Sequence, residues 1–263
     1  MHPQLNFFLF KISAYSFFTI DALAAVIGGS YWYARKRGFK REEALYMLLG
    51  MGLFSFIGAR ILNVFVNFEW YKDDFTRIFS LNFQGFSLYG GAICAIISGF
   101  FIGRIKKINL LKFADTVIPF VGIGIALMRI GCFLNGCCFG KETNLPWGVK
   151  FPFLSPAHIE QISGNILNST TVHAVHPTQI YELIAALIGT LMALIIIKKK
   201  KPAGTALLAF GIWFTAFRWF NMQFRVLPYS DSMINWVYPM IYAGIIGVCA
   251  ALLIKILYSK KTL

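Results

Sequence analysis

Long runs of apolar residues constrain this chain most, because about 20 such residues can cross the hydrocarbon core of a bilayer. Seven runs of this kind occur, near residues 14–33, 44–68, 86–104, 114–131, 178–197, 203–224 and 235–257. The composition agrees, since 57% of the residues are hydrophobic and only 14% are charged. The sequence therefore predicts an all-α polytopic membrane protein. We expect a single integral membrane domain, residues 1–263, with about seven transmembrane helices.

The basic residues collect in alternate connections between these runs. Of the 25 lysines and arginines, 16 follow the first, third, fifth and seventh runs. Cytoplasmic loops of membrane proteins accumulate such residues, so we expect the N-terminus outside and the C-terminus in the cytoplasm. The longest connection, about 132–177, then becomes one large outer loop. The net charge of +14 indicates topology and contact with anionic membrane lipids, and no nucleic-acid partner is expected.

Four arginines fall inside the apolar runs or at their rims: Arg60, Arg129, Arg218 and Arg225. Arginine in hydrocarbon is costly, so such residues either face a polar cavity or extend to the interface. For Arg60 and Arg225 the two interpretations are equally good. Arg129 and Arg218 lie on runs whose outer ends carry other unusual residues, which favours an anion-facing role for these two.

The outer loop opens with the segment Arg129-Ile-Gly-Cys-Phe-Leu-Asn-Gly-Cys-Cys-Phe-Gly140. Its glycines allow a ligand to approach the backbone closely, and exposed amides beside an arginine form an anion site. Phosphate is the natural occupant. The alternative is a glycine-rich helix end that packs tightly against its neighbours, as is common in membrane bundles.

A second segment, His176-Pro-Thr-Gln-Ile-Tyr-Glu182, stands at the entry to the fifth run. Proline favours the first helical position, and Gln179 and Glu182 then share one helix face. A carboxylate so close to the apolar phase needs a partner, and an arginine is the obvious one. The alternative is an interfacial cap without a ligand.

Tyr89 and Tyr15 are weaker candidates. Tyr89 precedes two glycines in Ser87-Leu-Tyr-Gly-Gly91, and Tyr15 lies near the outer end of the first run. Tyrosine at an interface is usually a residue of the aromatic belt.

Three of the five cysteines, Cys132, Cys137 and Cys138, cluster on the predicted outer side. An oxidising environment there would permit a disulfide, and their spacing matches no established metal-ligand pattern. The four histidines also lack the spacing of a metal motif, and the chain has no nucleophile elbow, phosphate-binding loop or dinucleotide fingerprint. We therefore expect neither a metal nor a soluble cofactor.

Taken together, these segments resemble the prolipoprotein diacylglyceryl transferases, integral membrane enzymes of bacteria. In that family a Gly-Arg-x-Gly-Asn-Phe-x-Asn-Gly-Glu-x-x-Gly signature opens the large outer loop. Here the matching residues are Arg129, Gly131, Phe133, Asn135, Gly136 and Gly140. The family's His-Pro-Ser/Thr-Gln-x-Tyr-Glu element is matched in full by residues 176–182. Gly58-Ala59-Arg60 and the neighbourhood of Tyr15 are also similar to the family.

The resemblance implies transfer of a diacylglyceryl group from phosphatidylglycerol to the lipobox cysteine thiol of a prolipoprotein, with glycerol phosphate leaving. It places the protein in the bacterial cell (inner) membrane. Arg129 would hold the lipid phosphate, Arg218 would stabilise the departing phosphate, and Tyr89 would stand in for a family histidine in hydrogen bonding or proton transfer. The other substrate-binding candidates that the resemblance implies are Tyr15, Arg60, Asn135, Gly140, His176, Gln179 and Glu182.

The chain departs from the family pattern at several positions. Met128 replaces a glycine, Cys132 an asparagine and Cys137 the glutamate of the signature, and Tyr89 stands where many members have histidine. Near Arg218, Phe214 and Thr215 replace the tyrosine and glycine of a Tyr-Gly-x-x-Arg element.

These departures keep two alternatives open: a non-catalytic phospholipid-binding paralogue, and the same reaction type with another lipid or thiol acceptor. A transporter of anionic solutes is disfavoured, because the sequence shows no corresponding inverted halves.

Overall fold

The computed structural model describes residues 4–7, 10–72, 74–79, 87–164, 172–227 and 230–259. A short antiparallel hairpin, β1 (Gln4–Phe7) and β2 (Phe10–Ser13), precedes a helical chain. The α-helices are α1 (Ala14–Ala24), α2 (Ser30–Lys36), α3 (Arg41–Val66), α4 (Phe68–Tyr71), α5 (Leu88–Ile105), α6 (Leu110–Asn135), α7 (Pro156–Gly164), α8 (Thr178–Lys198), α9 (Thr205–Met222) and α10 (Tyr238–Ser259). Two π-helical turns, Ala25–Gly29 and Met233–Val237, and a 3-10 helix, Phe75–Phe79, complete them.

Each of the seven apolar runs is largely helical in the structure. Four helical segments of the described chain are long and apolar enough to cross a membrane: Arg41–Val66, Leu110–Asn135, Thr178–Lys198 and Met233–Tyr258. A shorter apolar helix covers Gly90–Ile105. The helical, membrane-protein character of the prediction is therefore confirmed, while seven crossings and the orientation of the termini stay predictions.

The chain divides into two compact units, one formed by Ile27–Thr116 and the other by Met1–Val26 with Val117–Leu263. In the first unit α3 packs on α5 at glycines. A Cβ atom added to Gly58 would lie 2.7 Å from the Gly90 carbonyl oxygen, and one added to Gly90 would lie 2.3 Å from that of Gly58. Gly58 and Gly90 therefore permit α3 and α5 to pack closely.

In the second unit α6, α8 and α9 share an apolar core of Ile118, Ala193, Ala206 and Phe210. A polar link joins α8 to α6, because the Thr190 hydroxyl donates to the carbonyl oxygens of Ala186 at 2.9 Å and Pro119 at 3.3 Å. Since α6 ends at Asn135 and α8 begins at Thr178, this packing fixes both ends of the outer loop.

The outer loop has an apolar core of its own. Phe151, Ala157 and Val175 are buried together, and Phe133 and Phe139 pack against them. Isolated bridges join Val149 to Val175 and Gly140 to Arg225, so the loop is tied to the segment that follows α9. The described parts of the loop are therefore packed next to the end of α6 and the start of α8.

Candidate functional site

The two segments singled out in the sequence meet through a buried ion pair. Arg129, on the last turns of α6, places Nε 2.7 Å from Oε2 of Glu182, in the second turn of α8. The side chain of Glu182 is 3% exposed and that of Arg129 is 13% exposed. The prediction that Glu182 needs an arginine partner is confirmed. Burial makes the pairing obligatory, because an isolated buried charge is far more costly than a paired one.

A second arginine reaches the same carboxylate from the segment after α9. A terminal nitrogen of Arg225 lies 3.4 Å from Oε1 of Glu182, and Asn221 Nδ2 donates to that oxygen at 3.3 Å. Arg225 is 16% exposed, so it is turned into the protein and does not extend outward to the interface. Its Nε atom is buried and has no hydrogen-bond partner among the described residues. Two guanidinium groups thus share one carboxylate, which leaves one net positive charge.

The cysteine-rich turn is held against the start of α8 by two side chains. Thr178 Oγ1 donates to the Cys138 carbonyl oxygen at 2.8 Å, and Gln179 Nε2 donates to that of Cys137 at 2.7 Å. Both donors are almost completely buried. The matched residue Gln179 therefore positions the turn that follows Arg129.

The turn itself requires unusual backbone conformations. Gly136 has φ +72° and Cys138 has φ +60°. Both values lie in the left-handed region, which residues other than glycine rarely adopt. The Cys137 amide donates to the Cys132 carbonyl oxygen at 3.1 Å, which folds the chain back on the end of α6. This fold brings the sulfur atoms of Cys132, Cys137 and Cys138 within 4.8 Å of one another. All three cysteines are free.

The sulfur atoms lie in a positive environment. Arg129 NH1 donates to Cys132 Sγ at 3.8 Å. Hydrogen bonds from the thiols of Cys132 and Cys137, together with the charges of Arg225 and Arg129, hold the pKa of Cys138 below the ordinary thiol value. Cys138, like Cys137, lies on the turn that follows α6.

Glycines of the Arg129 segment serve packing. The Gly140 amide donates to the His176 carbonyl oxygen at 2.9 Å, and a Cβ atom there would lie 2.6 Å from the Phe224 carbonyl oxygen. A Cβ atom at Gly131 would lie 2.9 Å from Cβ of Phe18 on α1. The Gly140 amide is thus used within the protein, and of the two interpretations offered for this segment, tight packing describes its glycines.

His176 also has a place in the framework around the ion pair. Its Nδ1 lies 3.2 Å from the hydroxyl of Tyr181, which accepts a hydrogen bond from Trp147 at 2.9 Å. Its ring packs on Phe224 with a centroid distance of 5.0 Å. His176 therefore joins the loop, α8 and the segment before Arg225.

Two further candidates adjoin the site. Tyr15, in the first turn of α1, is half-buried and interacts electrostatically with Arg129 and the three cysteines. Asn135 ends α6, two residues before Cys137. The structure thus pairs Glu182 with Arg129 and places Tyr15, Asn135 and Gln179 at or beside the cysteine-rich turn that follows it.

Arg218 lies half-buried on α9. It stands three residues before Asn221, so both residues share one helix face. Asn221 donates to Glu182, so Arg218 lies about one helical turn from a residue of the ion-pair cluster.

Arg60 and Tyr89 belong to the other unit. Arg60 is 8% exposed, and its guanidinium donates to the carbonyl oxygens of Ile78, at 2.7 Å, and Arg77. The guanidinium also lies over the ring of Tyr71, 5.6 Å from its centroid. Arg60 therefore does not extend to the interface; it anchors the chain after α4. Tyr89 lies on α5, but its side chain is outside the described part of the structure.

Sequence reasoning missed two members of the site, Arg225 and Asn221. The sequence leaves Arg225 equally compatible with the interface and with a cavity, and no motif marks Asn221. The signal for Asn221 is a polar residue in the last turn of an otherwise apolar run, and Arg225 follows four residues later, beyond the end of α9. That both side chains reach Glu182 depends on how the chain turns after the helix.

Comparisons with known proteins give a consistent result. The family model for prolipoprotein diacylglyceryl transferase matches residues 4–258. Similar relatives, each named phosphatidylglycerol–prolipoprotein diacylglyceryl transferase, come from Clostridioides difficile, Clostridium tetani and Erwinia tasmaniensis. The first is 29% identical and the alignment covers 87% of this chain and 83% of the relative. The second is 33% identical over 70% and 69%, and the third 29% identical over 82% and 81%.

The matched region contains both halves of the ion pair and all of the outer loop. The resemblance that the two sequence segments indicated is therefore confirmed over nearly the whole chain, and this protein belongs to the prolipoprotein diacylglyceryl transferase family.

Proposed function

We propose that this chain transfers a diacylglyceryl group from phosphatidylglycerol to the thiol of a lipobox cysteine in prolipoproteins and releases glycerol phosphate. The names of its relatives specify a phosphatidylglycerol–prolipoprotein transferase. The observation that carries the proposal is the buried cluster of Arg129, Glu182 and Arg225 at the start of the outer loop.

The charge of this cluster matches the substrate. Two guanidinium groups and one carboxylate leave a net charge of +1, and the phosphodiester of phosphatidylglycerol carries a single negative charge. Arg129 is paired with Glu182 through Nε, and its terminal nitrogen NH1 donates to Cys132 Sγ. A guanidinium binds two phosphate oxygens at once and stays charged when buried, which suits Arg129 to hold the phosphate.

The reaction increases the negative charge at the phosphate. When the bond between the glyceryl carbon and the phosphate oxygen breaks, the departing glycerol phosphate gains a second charge. A fixed positive group beside it lowers the barrier, because a partly buried cation requires no solvent reorganisation. Arg225, with its buried unpartnered Nε, and Arg218, on the α9 face that includes Asn221, are the groups we assign to this step.

The remaining residues position the site or bind the substrate. Gln179 and His176 fix the cysteine-rich turn and the loop on α8, so they set the direction of Arg129. Tyr15 and Asn135 adjoin Arg129 and are assigned to the lipid headgroup. The resemblance alone implies substrate binding for Arg60 and hydrogen bonding or proton transfer for Tyr89, and the contacts of Arg60 favour a structural role.

The orientation in the membrane follows from the basic connections. We propose seven crossings, with the outer loop and the ion pair on the outer side of the bacterial cell (inner) membrane and the C-terminus in the cytoplasm. Seven helical segments and four strongly apolar helices support this arrangement. The diacyl chains of the lipid would extend between helices into the bilayer.

The direct test uses purified full-length protein in nanodiscs that contain phosphatidylglycerol. A lipobox peptide is added, and glycerol phosphate release is measured together with the mass of the peptide. We expect a diacylglyceryl mass gain with one glycerol phosphate released per peptide modified. A peptide with serine in place of the lipobox cysteine is the control and should gain nothing. Lipid binding without either product would contradict the proposal.

The second candidate is a phospholipid-binding paralogue without catalysis. The cysteines at 132 and 137 favour it, because they replace an asparagine and a glutamate of the family signature. The same assay separates the two functions, since the paralogue binds phosphatidylglycerol and releases no glycerol phosphate.

A further inference from the structure

We propose that Cys132, Cys137 and Cys138 form a binding site for a thiophilic closed-shell cation of the Zn²⁺ class, placed directly beside Arg129. Their sequence spacing indicates no metal site, so the inference rests on the geometry. The three sulfur atoms lie within 4.8 Å of one another, and Cys132 is buried. A tetrahedral Zn²⁺ with bonds of about 2.3 Å holds its sulfurs about 3.8 Å apart, so only a small contraction is needed.

The backbone is arranged to bring these sulfurs together. Cys138 adopts a left-handed conformation at φ +60° immediately after two residues that reverse the chain. That conformation is unfavourable for a residue with a side chain and persists where the surroundings enforce it. Buried donors enforce it here, because Thr178 and Gln179 hold the carbonyl oxygens of Cys138 and Cys137. The ligands are therefore held in place by α8 without the cation.

The surroundings of the cluster suit metal-bound thiolates. Arg129 donates from NH1 to Cys132 Sγ, the kind of outer contact that orients and stabilises a coordinating sulfur. Soft thiolate ligands select Zn²⁺ and Cu⁺ over hard cations such as Mg²⁺ and Ca²⁺.

Three protein sulfurs leave one position of a tetrahedral site for an external ligand, as in zinc sites that take part in reactions. The acceptor in the proposed reaction is a thiol, a ligand of the same soft class, and the next part of the inference rests on that proposed function. A thiol that coordinates the cation loses its proton to solvent and becomes a thiolate. Its sulfur then forms a bond to the glyceryl carbon, while the carbon–oxygen bond breaks and its electron pair leaves with glycerol phosphate.

The metal site is tested on full-length protein in detergent, purified with reductant and stripped of metal. Titration with Co²⁺ should give one equivalent bound, with thiolate-to-metal charge-transfer absorption and the visible bands of tetrahedral Co²⁺, and Zn²⁺ should displace it. We expect Cys132→Ser, Cys137→Ser and Cys138→Ser each to weaken binding by more than the roughly 10–100-fold typical of losing an outer contact.

Cys249→Ser on α10 is the matched control and should bind Co²⁺ like the unchanged protein. Absence of the charge-transfer band from reduced protein would overturn the inference, and so would cluster variants that bind as tightly as the control. A disulfide among the three cysteines that survives purification with excess Zn²⁺ would also overturn it, because oxidised sulfurs cannot coordinate the cation.

The role of the fourth position has its own readout. A lipobox peptide added to the Co²⁺-loaded protein should shift the visible bands, and the peptide with serine in place of cysteine should not. Equal spectra with both peptides would show that the acceptor thiol does not coordinate the metal. Diacylglyceryl transfer that continues unchanged in metal-free protein would also reject this role while leaving the proposed function intact. Failure of transfer in metal-loaded protein with normal Co²⁺ spectra would reject the proposed function and leave the metal site standing.

Discussion

The surroundings of two buried arginines, Arg60 in the unit Ile27–Thr116 and Arg129 in the other unit, differ in what the guanidinium contacts. Arg60 donates to two backbone carbonyl oxygens and lies over the ring of Tyr71. Arg129 is paired with a carboxylate that a second arginine shares. Arg60 thus uses its donors to hold the chain after α4. Around Arg129, three charged side chains are brought together.

This difference matters because burial alone does not identify a functional arginine. Carbonyl oxygens satisfy the donors of a guanidinium, and a protein can use one in this way as an anchor. A shared carboxylate between two guanidinium groups keeps both side chains folded inward and leaves a positive charge for a ligand. The region of Arg129 therefore suits anion binding, and the region of Arg60 suits support of the chain after α4.

The largest expected effect belongs to Arg129. Arg129→Ala should lower kcat/KM for diacylglyceryl transfer by about 10²–10³-fold, because a positioned donor to the developing charge is lost. Arg129→Lys should lose much of the activity as well, since an ammonium keeps the charge without the two-pronged contact. Transfer assays in nanodiscs measure both variants, with the peptide mass as readout. Turnover by the lysine variant at the unchanged rate would mean that charge alone is sufficient.

Glu182 tests whether the shared carboxylate holds the two arginines. Glu182→Gln keeps the shape but leaves two guanidinium groups without a counter-charge, so the free energy of unfolding should fall by about 3 kcal/mol. Thermal unfolding in detergent measures this loss. Phosphatidylglycerol should restore more stability to the variant than to the unchanged protein, because its phosphate supplies the missing negative charge. If the lipid stabilised the variant and the unchanged protein equally, Glu182 would not be part of the anion site.

Arg60 should respond differently from Arg129. Arg60→Ala leaves the carbonyl oxygens of Arg77 and Ile78 without their donors, which costs about 1–3 kcal/mol of unfolding free energy. The fall in kcat/KM per folded molecule should be much smaller than that of Arg129→Ala. A fall of the same size would contradict the structural role of Arg60 and would indicate that it binds substrate, as the resemblance implies.

The sequence was sufficient for the helical membrane fold and for the family. Apolar runs of about 20 residues have few other solutions in a bilayer, so length and composition located the helices without knowledge of their packing. The partner of Glu182 was also predictable in kind, because a carboxylate beside the apolar phase requires a cation. That two arginines share it depends on how the segment after α9 returns to the loop, which no local pattern records.

The roles of the glycines and of the clustered cysteines could not be predicted from the sequence. The sequence predicts that Gly140 gives a ligand access to the backbone, yet its missing Cβ makes room for His176 and Phe224. A sequence shows that a side chain is absent and does not show what occupies the space. Likewise, the spacing of Cys132, Cys137 and Cys138 gives no metal pattern, because the left-handed turn that gathers the sulfurs depends on buried donors from α8.

The smallest expected effect concerns the helix contact that precedes Arg60. A Cβ atom at Gly58 would lie 2.3 Å from Cys94 Sγ and 2.7 Å from the Gly90 carbonyl oxygen, so Gly58→Ala forces α3 and α5 apart. Overpacking of this kind costs about 1–3 kcal/mol, partly offset by the better helix propensity of alanine. Gly52→Ala on the same helix is the matched control, because nothing lies within 4 Å of its added Cβ. Thermal unfolding should rank Gly58→Ala below the unchanged protein and Gly52→Ala level with it or above. The reverse order would show that close packing at Gly58 does not stabilise the contact between α3 and α5.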